Sequence, residues 1–207
     1  MASRASTWPH RRVNLGLVPR ISGETLQQHR EQLQRRVFEA FADLMAERSF
    51  DAITMAAIAE RADVGRTAIY HHFPDKEAVV VAFASHETEE YLHRLRDVLA
   101  EADDPATRLR LYVRYHLAEG ERFHMGLGPQ LYGVLGPDSR LAIRQHVVAV
   151  EDVLRGILEA GIADATFAVE DVVTTMSLIH ACLSPRHLPA QTIESFVLRA
   201  VGAAGSA

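Results

Sequence analysis

The chain has 207 residues, 48% of them hydrophobic, 7% aromatic and 24% charged, with a formal net charge of −5. This is an ordinary globular composition with room for one larger or two smaller domains. No apolar run approaches the roughly 18 residues needed to span a bilayer, the N-terminus lacks the continuous apolar stretch of a secretory signal, and the single cysteine, Cys182, excludes an intrachain disulfide. A cytoplasmic protein without a membrane partner is expected.

The acidity is unevenly placed. Residues 1–80 hold 11 Arg or Lys against 10 Asp or Glu, whereas residues 81–207 hold 11 against 17. The N-terminal third can therefore present a local basic face to an acidic partner. Lys76 is the only lysine in the chain.

Residues 1–22 mix Pro, Gly, Ser, Arg and His without periodicity and read as a disordered basic arm, available for DNA contact or simply frayed. From Glu24 to Arg48, Leu26, Leu33, Val37, Phe38, Phe41, Leu44 and Met45 recur at helical spacing and predict an amphipathic helix. Phe50 and Ile53 bracket a turn, and Thr54 is a natural N-cap for the helix that follows. That helix, Met55–Arg61, carries a small residue, Ala59, where a second helix can cross it closely. Asp63 and Gly65 tolerate the backbone of a tight turn. A recognition helix then starts at Arg66.

A long helix follows Pro74-Asp75, capped by Asp75, with Lys76 in its first turn and its end near Ala102. Pro105 opens another helix that reaches Phe123. Four glycines and two prolines break the chain between Gly126 and Pro137, around a short helix at Gln130–Leu135. Asp138 or Ser139 starts a further long helix to Ala160, with Gly161 as its stop. An apolar helix is expected over Phe167–Leu183, and a last one over Ala190–Val201. No segment alternates like a strand. The expectation is an all-α chain of about nine helices, with a helix-turn-helix domain at 23–76 and a second helical domain at 77–207.

The segment from Thr54 to Val79 is the most specific about function. Ile58, Ala59, Ala62, Val64, Ile69 and Phe73 can form a small core, leaving Arg66, Thr67, Tyr70, His71 and Lys76 outside. Arg66 and Thr67 open the second helix, where side chains reach base edges in the major groove. Arg reads guanine O6 and N7 in a bidentate way, and Thr can donate, accept or touch a thymine methyl. Tyr70 and His71 lie one turn on, at sugar-phosphate, although either ring could instead be structural. Thr54 and Lys76 sit at helix N-termini, where free N–H groups already favour phosphate.

The run T-x-x-x-I-A-x-x-A-x-V-x-x-x-x-I-Y-x-H-F-x-x-K-E resembles the DNA-binding domain of TetR-type transcriptional regulators over about residues 30–80. The resemblance implies an all-α homodimer that binds a palindromic double-stranded operator and is released by a small-molecule effector held in the C-terminal domain. It implies phosphate contacts for Thr54 and Lys76 and base contacts for Arg66 and Thr67. It also pairs Tyr70 and His71 with the family's aromatic and histidine before the Phe. The turn departs from the family's frequent A-G-V-S: Asp63 brings a carboxylate near DNA, and Gly65 removes a capping hydroxyl and one phosphate contact.

An effector pocket is expected among the helices from Ala78 to Leu183, for a hydrophobic or aromatic ligand. Phe83, Tyr91, Tyr112, His116 and Phe123 are candidate linings, as are Met125, Tyr132, Val147, Met176 and His180; each could equally be plain core. For dimerisation, Val172, Val173, Met176, Ile179 and Leu183 form one stripe, and Ile193, Phe196, Val197 and Ala200 another. The two would build a four-helix interface unless they cap their own domain. An alternative regulator would sense metal or redox state through its histidines or Cys182. His86, Glu90 and His93 share a helix face, which reads more simply as solvated. No nucleophile–base pair, phosphate loop or HExxH motif is present, so neither an enzyme nor a cofactor is expected.

Overall fold

The computed structural model describes residues 23–123, 133–183 and 188–203. The described residues form eight α-helices and a three-residue 3-10 turn, with no strand among them. The helices are α1 (Gly23–Glu47), α2 (Met55–Arg61), α3 (Arg66–His72), α4 (Lys76–Leu99), α5 (Pro105–Phe123), α6 (Pro137–Ala163), α7 (Val172–Leu183) and α8 (Ala190–Ala200). The expected arm at 1–22 lies outside the described residues, as does the first half (130–132) of the short helix expected at Gln130–Leu135; Gly133 and Val134, in its second half, are helical.

Side-chain caps fix several helix starts. Thr54 Oγ1 accepts from Ala57 N at 3.1 Å, Asp75 Oδ1 from Ala78 N at 2.8 Å, and Asp104 Oδ1 from Thr107 N at 2.8 Å. Each satisfies an N–H that the first helical turn leaves without a partner.

Three boundaries differ from the sequence expectation. α4 ends at Leu99, short of Ala102, and α6 begins at Pro137 with Gly136 as its cap residue. The third concerns Gly161. α6 runs through Gly161 to Ala163, and α7 begins only at Val172, capped by Asp171 rather than entered from Phe167. Ala165 takes a left-handed φ of 61° and turns the chain back. Phe167 N then donates to Gly161 O at 2.8 Å, and its ring lies where a side chain on residue 161 would be. Gly161 is a close-approach site inside a helix, not a stop.

Two apolar cores hold the helices together. The first joins Val37, Phe38 and Phe41 of α1 with Ile58 of α2, Ile69 of α3 and Val80 and Phe83 of α4. Leu135, just before α6, and Ile143, within it, also belong to it. The second joins Tyr91 and Leu95 of α4 with Leu109 and Tyr112 of α5, Leu154 and Leu158 of α6, Met176 of α7 and Val197 of α8. α4 thus gives its first turns to one core and the rest to the other. Between α5 and α8, Glu194, only 6% exposed, accepts from Arg114 Nε at 2.6 Å and pairs with Arg110 Nε at 2.9 Å. That pairing is what makes burial of its charge tolerable.

Candidate nucleic-acid interface and effector site

The helix-turn-helix is held from below. Ile58, Ala59 and Ile69 are buried, so α2 and α3 pack closely. Within the turn, Val64 N donates to Ala59 O at 2.9 Å and Asp63 adopts a φ of 51°, a left-handed conformation that a short polar side chain tolerates. Two arginines absent from the sequence reading brace this unit. Arg36 of α1 donates to Asp63 O at 3.2 Å, and Arg61 of α2 forms a paired contact with both oxygens of Glu47 at 2.9 Å each. The i, i+4 carboxylates Asp43 and Glu47 on α1 were the available signal.

On α3, Arg66, Thr67, Tyr70 and His71 are exposed while Ile69 is buried, with Tyr70 48% accessible. Gly65 caps this helix without a side-chain bond, at an ordinary φ of −59°, and nothing lies within 4 Å of a Cβ added there. One assignment needs correction: in the register of the Y-x-H-F step, the histidine before Phe73 is His72, and His71 occupies the open position. His72 is half-buried.

Thr54 and Lys76 flank this face. The Thr54 hydroxyl oxygen accepts from Ala57 N, which leaves its proton to donate outward. Lys76 Nζ donates to Phe50 O at 2.7 Å and Ile53 O at 2.9 Å, and lies 4.0 Å from the Phe50 ring centroid. Two of its three N–H bonds therefore lock the turn that presents Thr54.

The expected effector residues divide. Tyr91, Tyr112, His116, Met176 and His180 converge between α4, α5 and α7. Tyr91 Oη and His116 Nδ1 are 3.1 Å apart, and Tyr112 Oη and His180 Nε2 3.3 Å. The His116 ring stacks on Tyr112 at 5.9 Å and lies 6.3 Å from His180. Burial raises both tyrosine pKa values, so the hydroxyls keep their protons, and burial lowers that of His180, so its ring stays neutral. Phe83, by contrast, packs with Phe38 and Phe41 in the first core. Val147 is 51% exposed on α6. The Phe123 side chain, Met125 and Tyr132 lie outside the described residues.

At the seam of α4 and α6, Ser85 Oγ donates to Val81 O at 2.9 Å and lies 2.9 Å from His146 Nε2. With the serine proton used, Nε2 carries the hydrogen and donates to Ser85, while Nδ1 is buried without a partner among the described residues.

Burial also splits the expected dimer stripes. Met176, Ile179, Leu183, Ile193 and Val197 fill their own domain's core, whereas Val173, Phe196 and Ala200 face outward and Val172 is half-buried. Leu178, missing from the expected set, is 63% exposed on α7, one turn before the exposed Ala181. Among the described residues no group of three His, Cys, Asp or Glu side chains is arranged to hold a metal ion. His86 stacks on Phe38, Glu90 pairs with Arg94 and His93 with Asp97. No helix of the described residues is long and apolar enough to cross a membrane.

The family model for bacterial regulatory proteins of the tetR family matches residues 37–83, and that for the tetracyclin repressor-like C-terminal domain matches residues 105–195. No curated protein matches the chain. Among solved structures, the transcriptional regulator FadR from Bacillus subtilis in complex with stearoyl-CoA aligns with a TM-score of 0.64 at 19% identity, covering 80% of this chain and 88% of that one. The TetR family regulator PfmR from Thermus thermophilus aligns at 0.61 and 22% identity, over 82% and 99%. A regulator from Saccharomonospora viridis in complex with choline aligns at 0.67 and 16% identity, over 83% and 96%. At these identities the likeness establishes the fold.

Proposed function

The chain belongs to the TetR family of bacterial transcriptional regulators, and from that premise we propose that it is a homodimeric repressor which leaves a palindromic operator when a small hydrophobic or aromatic effector binds its C-terminal domain. The observation that carries the DNA half is the exposed set Arg66, Thr67, Tyr70 and His71 on a helix anchored in the core through buried Ile69. Arg66 and Thr67 read bases; Thr54, Tyr70, His71 and Lys76 hold phosphates on either side of the groove.

The effector half is supported by the convergence of Tyr91, Tyr112, His116 and His180 beside apolar Met176, a few polar groups in an otherwise apolar interior. Two neighbours in the same fold are bound to stearoyl-CoA and to choline.

Selection of bound duplexes from a randomised pool tests the reading. An inverted repeat should be enriched, and Arg66→Ala should relax its sequence at one position in each half-site. A pool with no enriched repeat would remove the operator-binding role. For the effector, a thermal-shift screen of hydrophobic metabolites should give a compound that both raises the melting temperature and releases the enriched duplex.

A further inference from the structure

A groove of about 360 Å³ opens where the end of α4, the start of α5 and the later turns of α6 meet. Leu99, Val153 and Ile157 make its apolar floor, which is continuous with the second core. Arg96 of α4 and Arg108 of α5 line it as well. The groove shares no residue with the cluster of Tyr91, Tyr112, His116 and His180, so it is a separate site.

Two features set it apart from a plain crease between helices. The first is charge. Residues 81–207 hold 17 acidic side chains against 11 basic ones, yet two guanidiniums and no carboxylate line the groove. Neither guanidinium forms an ion pair among the described residues. Arg108 Nε donates to Ala102 O at 2.9 Å, which fixes the plane of the group and leaves its terminal nitrogens to donate elsewhere. Arg96 is exposed. The acidic residues of these turns are held apart from it: Asp97 pairs with His93 at 3.6 Å, Asp152 with Arg155 at 3.7 Å, and Asp104 accepts from Thr107 N. Glu101, Asp103 and Glu159 are exposed and outside the lining.

The second feature is Gly156. It lies inside the 27-residue α6, where glycine is disfavoured against alanine. No heavy atom lies within 4 Å of a Cβ added there, so, unlike Gly161, no neighbour in the chain needs the space. Gly156 lines the groove, and what its missing side chain leaves is room within it.

We propose that this groove binds a small organic carboxylate, with the apolar body on Leu99, Val153 and Ile157 beside the bare backbone of Gly156 and the carboxylate held by Arg96 and Arg108. A guanidinium fork matches the two oxygens of a carboxylate. The apolar floor adds a burial that a purely inorganic anion cannot use. The volume falls at the small end of the range for ligand pockets, about 300–1,000 Å³, which suits one compact molecule. The site involves no DNA contact, so it stands or falls independently of the operator reading.

The test is isothermal titration calorimetry on the full chain with sodium octanoate, neutral octanamide and sodium acetate as probes. Octanoate should bind, octanamide at least about tenfold more weakly for want of charge-assisted bonds, and acetate more weakly still for want of an apolar body. Arg96→Gln, an exposed change, should weaken octanoate about tenfold and leave octanamide unaltered. Gly156→Leu should abolish octanoate binding while its melting temperature stays at or above that of wild type, since leucine is the better helix former. A wild-type protein that does not bind octanoate would overturn the site. So would an octanoate affinity unchanged in both Arg96→Gln and Gly156→Leu, which would seat the probe elsewhere, as beside Tyr112 and His180. Equal affinities for octanoate and octanamide would overturn the carboxylate assignment.

Discussion

Glu77, in the first turn of α4, holds the start of α6: its Oε2 accepts from Gly136 N at 3.0 Å and from the Ser139 hydroxyl at 2.7 Å. α6 has no side-chain cap of its own, so a carboxylate from another helix satisfies its first N–H and meets the positive end of its dipole. The neighbouring Lys76 points to the other domain, where it holds the carbonyls of Phe50 and Ile53. One turn of α4 therefore grips both the turn that presents Thr54 and the entry to the helix that walls the effector domain. Leu135 and Ile143 reinforce the second grip by packing in the first core.

Removing this cap should be measurable. Glu77→Ala is expected to cost about 1 kcal/mol, as for loss of an N-cap, and to lower the melting temperature by about 2–4 °C in a chain of this size. Ser139→Ala should cost less. The double variant should cost clearly less than the two added together, because both changes break the same bond. Strict additivity in urea melts would show that Glu77 and Ser139 do not act as a pair.

His146 gives a pH dependence of known sign. Burial lowers its pKa, and the Glu89 charge only partly opposes this. The folded state therefore holds the ring neutral, while the unfolded chain protonates it at about 6.5. Unfolded protein binds more protons in that window, so stability is complete above pH 6.5 and declines as the pH drops through the lower folded value. His72 and His180, also shifted down by burial, add in the same direction. Urea midpoints should fall from neutral pH toward pH 5.5. His146→Gln, whose amide can still donate to Ser85, should flatten part of that decline; an identical pH slope in this variant would place the effect elsewhere.

How much of this was legible in the sequence follows from the range of each interaction. Thr54, Asp75 and the apolar spacing of α1 act within a few residues, so the helix-turn-helix and its outward face could be read directly. Gly161 could not. Its meaning depends on Phe167 folding back through a left-handed Ala165, and a glycine after a helical run otherwise signals an end. Lys76 was placed beside DNA by its position, but its bonds to Phe50 and Ile53, more than 20 residues away in the chain, appear only in three dimensions. The dimer stripes failed to separate for a related reason: α7 is apolar on more than one side, so spacing alone cannot tell Met176, which faces inward, from Leu178, which faces out.

The Gly161 contact supports a stability prediction of opposite character to the cap. A Cβ there would lie 2.0 Å from Phe167 Cδ2, far inside van der Waals contact, so the ring or the helix must shift. Helix propensity alone would favour alanine by about 1 kcal/mol, and overpacking of this kind costs about 1–3 kcal/mol. The clash should win, and Gly161→Ala should be destabilised. Gly156→Ala in the same helix, with nothing within 4 Å, should be stabilised instead. If both substitutions raised the urea midpoint, the fold-back of Phe167 onto α6 would be wrong.

The outward face of α7 and α8 tests the proposed homodimer. Val173 is 60% exposed, Leu178 63% and Phe196 52%, and small Ala181 and Ala200 lie beside them on the exposed sides of the same two helices. Large apolar groups left in water on adjacent helices are the pattern of a surface that a second subunit covers. Leu178→Arg combined with Phe196→Glu should yield a monomer by light scattering while helical content stays unchanged, because neither side chain contributes to the second core. Met176→Glu should instead unfold the C-terminal domain, since Met176 is buried there. The monomeric variant should lose its preference for an inverted repeat, as one subunit can hold only one half-site, yet still bind arbitrary duplex weakly through its phosphate contacts. A double variant that remained dimeric and kept its operator preference would move the interface to another face of the molecule.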